Sequence, residues 1–472
     1  MSLVDVAQNL SDLRFHDPPY GEFTIARILK ESEGRWIPLF REVRRSFAGI
    51  GNILDSRSKL YRYLGVGSDE EAYEKLLNAL ERPGGLERVS AWRDVYREVE
   101  SLYDLPMVRY YEKEARPYVT SGVVVGVGVD GTMNASIHRF SPIAARRAVV
   151  RLVPRHLYHI YKAGVEAGRE VPIAVAWGVH PLVLLAAASS PPFGVFELGV
   201  ASSLMGGLKV MELDNGAVAP FMASVVIEGH LTRELAEEGP FVDIVGVYDR
   251  VRRQPVVKVE KIYVLRDDAV VHYLLPAGLE HMLLMGFERE AKIWRAARSA
   301  VPRVKKVRLT RGGFGWLVAV ISLAKSVEGD AKNALLAAFA AHPSLKIAIA
   351  VDEDIDPDDP VSVEWAIATR LRADRGIFVV PYVRGSTLDP VALNEEGLTH
   401  KLGIDATRPL DADPTLFERA RTPGVRYIVN THLWWCLASM RGRWFSKSPM
   451  RWLGGRWCLW RLRTSPASRT SP

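Results

Sequence analysis

Over roughly the first 115 residues the apolar positions recur at helical spacing with charged residues between them, as in Glu70–Leu80 and Ala91–Tyr103. The pattern changes at Arg116-Pro117. Beyond it, β-branched runs of strand length follow one another: Tyr118–Val129, Val171–Trp177, Gly207–Leu213, Ala223–Glu228, Val256–Arg266 and Ala269–Leu275. Turn residues such as Asp214-Asn215-Gly216 separate them. Helical spacing returns at Pro142–Val150, Arg155–Ala167 and Leu182–Ala188. This uneven alternation predicts a mixed sheet or barrel with inserted helices rather than regular β-α repeats. Residues 278–300 predict one long connecting helix. Strands Val304–Leu309, Trp316–Ile321, Leu345–Val351 and Gly376–Val380 then alternate with helices at Asp330–Ala340 and Val361–Arg372, an α/β pattern. The fold class is α/β (α+β), with segments 1–116, 117–300, 301–424 and 425–472.

Composition changes this picture in three places. At 472 residues the chain can bury two or three cores. The formal charge of +7 points toward nucleic acid, but nine Lys and Arg and no acidic residue lie after Val425; subtracting that +9 leaves −2 on the preceding 424 residues. A body with that balance offers no broad basic face to phosphate backbones, so nucleic acid is not an expected partner. The tail holds six of the twelve tryptophans among its arginines without a clear period, and reads as an extension of unknown role. Only Cys436 and Cys458 occur, which excludes a disulfide framework or a cysteine zinc site in the body. Gln8 and Gln254 are the only glutamines, a thermophile-like depletion of labile amides. Asp5, Asp12 and Arg14 interrupt any signal-peptide pattern, and runs such as Leu182–Ala188 are too short to span a bilayer. A cytoplasmic protein without a membrane span is expected.

Polar residues interrupt the apolar strands at a few points. Asn134 and Arg139 follow the Gly-rich run Gly126–Gly131; His156 and His159 stand at i, i+3 on one helix face; Glu197 lies in an apolar stretch. Glu238-Gly-Pro-Phe-Val-Asp243 sets two carboxylates around a Gly-Pro turn. An Asn/His/Glu group suits Mn²⁺ or Mg²⁺. Two carboxylates beside an arginine can differ widely in proton affinity, which proton delivery requires. Each residue also has an ordinary structural reading: a hydrogen-bonding histidine, a helix-capping Glu197, a turn-capping Glu238, a surface ion pair at Arg139. Local sequence alone leaves the choice open. No P-loop, dinucleotide fingerprint, G-x-S-x-G or H-E-x-x-H is present.

Taken together and in order, these segments resemble the UbiD family of reversible, non-oxidative decarboxylases. The resemblance covers about residues 118–423. It rests on Thr132-Met-Asn134-Ala-Ser-Ile-His-Arg139, Val153-Pro-Arg-His156, Val171–Pro181, the Glu197 segment, Val226-Ile-Glu-Gly229 and Glu238–Asp243. Val351-Asp-Glu-Asp354-Ile-Asp356, Trp365–Arg370 and Lys401-Leu-Gly-Ile-Asp405 complete it. The resemblance implies an N-terminal α/β unit, a central split β-barrel that binds prenylated FMN, a linker helix, and a C-terminal α/β domain making homo-oligomer contacts. It implies Asn134, His156 and Glu197 as ligands of a divalent ion, Mn²⁺ or Mg²⁺, with K⁺ as a possible companion. His159 is the competing ligand. Ser136, Ile137, Arg155 and Lys401 would join them around the cofactor, with Lys401 on its phosphate. Arg139, Glu238 and Asp243 would be the acid/base group. The family usually carries glutamate at the last position, and aspartate is one methylene shorter.

The implied chemistry needs a substrate whose double bond is conjugated to its carboxylate, and a flavin prenyltransferase to supply the cofactor. Two substrates fit: trans-anhydromevalonate 5-phosphate, yielding isopentenyl phosphate, and a 3-polyprenyl-4-hydroxybenzoate or similar aromatic acid. A substrate phosphate would draw on Arg146, Arg147, Arg151 or Arg155, which equally form a solvated helix face. A flavin-binding protein without decarboxylase activity is the reading from another class, and it leaves a retained proton donor without a task.

Overall fold

The valine-rich runs after Arg116 close into a barrel. The computed structural model describes residues 3–420 except Asn9, Ser11, Arg45, Asp268, Glu395 and Glu396; the basic, Trp-rich segment 425–472 lies outside the described residues. Strands Val225–Glu238, Val171–Trp177, Val119–Val127, Met133–Ala144, Arg147–Val150 and Arg252–Leu265 pair in that order, every pair antiparallel. The last strand pairs back to the first. Closure leaves no open edge. Val119–Val127 is buried along nearly its whole length, because its outer face is covered as well as its inner one. Part of that cover is the helix His156–Glu166. Its Leu157 packs so closely on Gly126 that an added Cβ would lie 2.4 Å from a Leu157 methyl carbon. The helix Pro181–Ala188 is apolar on every side and buried throughout, as a helix inside a core must be.

Two of the predicted helices are strands or turns. Pro142–Val150 belongs to the hairpin of Met133–Ala144 with Arg147–Val150, so Arg146 and Arg147 lie at its turn and not on a helix face. The barrel ladder there overrides the helix propensity of alanine and arginine. Ala91–Tyr103 forms a short 3₁₀ turn at Trp92–Val95 and an edge strand, Tyr96–Glu98, paired to Arg252–Leu265.

The first 116 residues are built into sheets with later ones. Leu13–His16, Ile37–Arg44 and Phe47–Ile50 share a sheet with Val270–His272, and Leu86–Arg88 pairs with Leu208–Glu212. The helix Leu279–Ala300 is tied to the N-terminal segment at its start, where the buried Glu280 accepts the backbone N–H groups of Asn52 (2.8 Å) and Leu54 (2.7 Å). Beyond it, strands Val304–Leu309, Val318–Leu323, Ile347–Asp352, Leu398–Ala406 and Ile377–Arg384 form a five-stranded sheet in that order. Its central pairs are parallel and its outer pairs antiparallel. Arg370 binds Asp352 at 2.6 Å and Asp354 at 2.7 Å, so the acidic motif and its arginine staple a loop to the helix Pro360–Arg370. Among the described residues, no helix is long and apolar enough to cross a membrane.

Candidate active site

The strand Met133–Ala144 builds the site. Asn134, Ser136 and His138 alternate along it and so share one face. Asn134 Nδ2 donates to Glu197 Oε1 at 2.6 Å, and the Ala135 N–H donates to Glu197 Oε2 at 2.7 Å. Glu197 opens the helix Glu197–Met205 and is 1% exposed. His156, first residue of its own helix, places Nδ1 3.7 Å from Glu197 Oε1. His159 is solvent-exposed one turn on, edge-to-face with Tyr158. The structure therefore brings His156, and not His159, to Glu197.

Glu197 meets an amide, a backbone N–H and an imidazole, with no Lys or Arg partner among the described residues. A buried carboxylate in such company favours a cation. Asn134 is also able to turn its oxygen toward one. Burial pushes His138 down to about 4, so the ring is neutral, and its Nδ1–H donates to the Arg151 carbonyl at 2.7 Å. Its Nε2 is then an acceptor 2.8 Å from Ser136 Oγ, while the same hydroxyl lies 2.9 Å from Asn134 Oδ1. Ser136 can give its proton to the imidazole and release the Asn134 oxygen. No group of three His, Cys, Asp or Glu side chains poised for a metal occurs among the described residues. The set here has two such residues and an amide, and its chemistry fits a hard divalent ion.

On the other face of the strand lies Arg139, 7% exposed. Its Nε and Nη2 donate to the two oxygens of Glu238 at 2.7 and 2.6 Å, and Nη1 donates to Asp243 Oδ2 at 3.2 Å. Glu238 is fully buried and ends the long strand Val225–Glu238, opposite Arg252. The turn that follows needs glycine: Gly239 has φ +100°. Beyond it, Phe241–Val242 and Tyr248–Asp249 form a small hairpin carrying Asp243. The Phe241 ring lies 4.5 Å from the Arg139 guanidinium carbon. The two carboxylates of the motif differ sharply. Both Glu238 oxygens are taken by a bidentate arginine inside the protein; the Asp243 side chain is 25% exposed, with one oxygen on Arg139 and the other on the Ile244 N–H.

The structure adds residues that the motifs do not name, and gives Arg155, which they do name, new neighbours. Asp249 is a third carboxylate on Arg139, 3.2 Å from Nη2. His281, from the helix Leu279–Ala300, acts on Asp243; burial holds it below the usual imidazole range against the pull of that carboxylate. Arg155 and Arg289 converge on Ser190 Oγ at 3.5 and 2.7 Å and face the Trp316 ring at 5.9 and 5.4 Å. Lys292 donates to the Ser190 carbonyl, and Glu288 pairs with both Arg289 and Lys292. Partial desolvation, with the repulsion of Arg289, pushes Arg155 down to about 10. Beyond Arg155, no local pattern signals these residues, since Asp249 and Arg289 meet partners about a hundred residues away.

Lys401 and Ile137 need separate comment. The Lys401 amine, pushed down to about 8 by burial, donates to the carbonyls of Pro343 and Leu345 at 2.7 Å each. In this geometry it braces a loop with two of its three N–H donors, which leaves one for a phosphate. Ile137, partly buried, pairs with Val123 across the hairpin and packs on the core. Arg146 and Arg147 are occupied at the surface by Glu100 and Glu234. Arg151 turns toward Asp249 instead.

Comparison with known proteins agrees with this architecture. Residues 89–279 match the 3-octaprenyl-4-hydroxybenzoate carboxy-lyase Rift-related domain, and residues 282–406 match the C-terminal domain of the same enzymes. The chain belongs to the UbiD family. Among curated relatives, the anhydromevalonate phosphate decarboxylase of Aeropyrum pernix is 48% identical, covering 86% of this chain and 92% of the relative. The protein of the same name from Methanocaldococcus jannaschii is 41% identical, covering 85% and 95%. Among solved structures, the UbiD-class enzyme HmfF from Pelotomaculum thermopropionicum in complex with FMN is 34% identical. It superposes with a TM-score of 0.84, covering 90% of this chain and 97% of that one.

Proposed function

We propose that the protein is a carboxy-lyase that removes CO₂ from an α,β-unsaturated acid with prenylated FMN, and that the acid is trans-anhydromevalonate 5-phosphate, yielding isopentenyl phosphate. The observation that carries the chemistry is the asymmetry of the two carboxylates on Arg139. Glu238 is sealed and doubly bonded; Asp243 reaches solvent and keeps one weak charged contact, as a residue that gives and regains a proton must. The names borne by the relatives support the choice of acid.

Asn134, His156 and Glu197 would hold the divalent ion, with Ser136, Ile137, Arg155 and Lys401 around the flavin. When bound, the prenylated flavin supplies the electron sink for the bond that breaks. Arg139 uses four of its five N–H groups on Glu238, Asp243 and Asp249, and so has one on Nη1 for the substrate carboxylate. Asp243 then protonates the carbon from which CO₂ has left and recovers its proton from water. Arg155, Arg289 and Lys292 against Glu288 leave a net charge of +2 around Ser190, which matches a phosphate monoester dianion. This reading gives Arg155 an anion to hold on either side of the site. A homo-oligomer, and a flavin prenyltransferase as supplier, belong to the same reading.

Protein produced anaerobically with a flavin prenyltransferase should show flavin absorbance, retain a divalent ion, and release CO₂ from the phosphorylated acid. Holo-protein inert toward that acid and toward aromatic and simple acrylic acids would defeat the proposal. Arg289→Met should raise KM for the phosphorylated acid at least tenfold at unchanged flavin content, the effect of losing a charge-assisted hydrogen bond worth about 1.5–3 kcal/mol. Loss of flavin from that variant would instead assign the cluster to the cofactor's own phosphate.

A further inference from the structure

The proton-transfer step described above leaves Asp249 without a task, yet it is among the most heavily bonded carboxylates of the site. Its Oδ2 accepts from Arg139 Nη2 at 3.2 Å and lies 3.8 Å from Arg151 Nε; its Oδ1 accepts from Arg252 and from the Arg250 N–H at 3.0 Å. The side chain is 7% exposed. In the hairpin register Asp249 stands directly opposite Phe241, whose ring stacks on the same guanidinium. One rung of the hairpin thus grips Arg139 by its edge and by its face. Arg151 Nε is buried without a hydrogen bond, so Asp249 is the nearest compensation for its charge.

We propose that Asp249 is a positioning residue that keeps Asp243 able to hold and deliver its proton, by orienting Arg139 and by cancelling the charge of Arg252 and Arg151. The inference rests on Asp243 being the donor. Three arginines, Arg139, Arg151 and Arg252, face three carboxylates, Glu238, Asp243 and Asp249, so the charges balance when Asp243 is ionised and leave one positive charge when it carries its proton. Without Asp249 the same three cations face two carboxylates, and the surplus favours the ionised form of Asp243. Arg139 would also lose its Nη2 contact to Asp249 and be freer to bind Asp243. Both effects act in the same direction.

The other groups around Asp243 do not offset them. His281 accepts the Ala277 N–H at Nδ1 (3.1 Å), and its burial keeps it neutral. Tyr118, on the barrel side, approaches Glu238 at 3.4 Å and is pushed far above its ordinary range by burial and by Glu238. Glu114 is raised to about 7 by burial, against the pull of two backbone N–H groups, Arg109 and Arg139. Asp249 itself is held below the usual carboxylate range: burial opposes ionisation, but the Arg252 hydrogen bond and the Arg139, Arg252 and Arg151 charges outweigh it. It therefore stays charged while Asp243 cycles.

The test is the pH dependence of kcat in the holoenzyme, where the alkaline limb marks loss of the donor's proton. Asp249→Asn should move that limb to lower pH by about one unit at unchanged flavin content. Arg252→Gln should move it to higher pH, and the double variant should return it most of the way. Asp249→Glu should behave as the parent. An unmoved limb in Asp249→Asn, or a double variant that behaves as Asp249→Asn alone, overturns the inference. If Asp249→Asn does not fold, an unmoved limb in Arg252→Gln overturns it equally. Near-normal turnover of Asp243→Asn would instead defeat the donor assignment, so the two failures are distinct.

Discussion

Asp243→Asn is expected to lower kcat by about three orders of magnitude, the range of an efficient general acid, while flavin content and folding stay intact. Asparagine keeps the shape of the side chain. Its amide oxygen can still accept the Ile244 N–H at the position where Oδ1 sits at 2.7 Å, and the lost contact with Arg139 is the longest that arginine makes to the motif carboxylates. What it cannot do is carry a proton of useful acidity. The check is single-turnover CO₂ release beside the flavin spectrum of the same sample. Retained turnover would transfer the role to Glu238. That outcome has a geometric cost, because Glu238 would have to leave a bidentate arginine in a pocket closed to water. The expected loss follows from the difference in exposure between the two carboxylates.

Several elements were legible because one physical signal dominated them. Val304–Leu309 is observed as predicted, and the helix at 330–341 extends its predicted span by a single residue, since strong apolar runs bounded by turn residues leave little choice. Four of the six barrel strands were legible as strands, and a barrel was one reading of their pattern, but closure itself depends on the long pairing of Val225–Glu238 with Arg252–Leu265. The register of that pair shifts between Leu231 and Leu235, which no local pattern announces. Pro142–Val150 misled for a related reason: its Ala-Ala-Arg-Arg core favours helix in isolation, and only its neighbours on both sides make it a hairpin. Within the site, the motif residues stood out through their family resemblance. Asp249 and His281 did not. Each acts through a partner brought near by a tertiary turn, Asp249 by the hairpin beyond Gly239 and His281 by the linker helix.

The same strand links the two halves of the site. Even-numbered Asn134, Ser136 and His138 lie on the face of the proposed metal set, and Arg139 opposite them holds the carboxylates, so a shift of one residue in the register would exchange the two faces. The ladder from Val119↔Phe140 to Val127↔Met133 resists such a slip through the buried valines of its partner strand. The proposed metal set and the arginine that holds the two carboxylates are thus positioned by one rigid element, as precise catalytic geometry requires.

Arg139→Leu is expected to abolish activity and also to destabilise the fold by about 3–5 kcal/mol, the usual cost of breaking a buried ion pair from one side. Leucine fills part of the space and can pack on Phe241, but it leaves Glu238 fully buried with only a Tyr118 hydroxyl at 3.4 Å. A carboxylate stranded in this way takes up a proton rather than remain charged. The pH dependence then has a definite sign. In the parent Asp249, held below its ordinary range, contributes stability that is fully present above the unfolded carboxylate range. That contribution is lost only as pH falls through its depressed folded value. In the variant Glu238 binds a proton on folding at a pH where the unfolded chain does not, so the variant gains stability as pH falls from 7 toward 5. The difference in Tm between parent and variant should therefore narrow over that interval. A difference independent of pH would mean that the lost stability comes from packing around Phe241 and not from the uncompensated charge of Glu238.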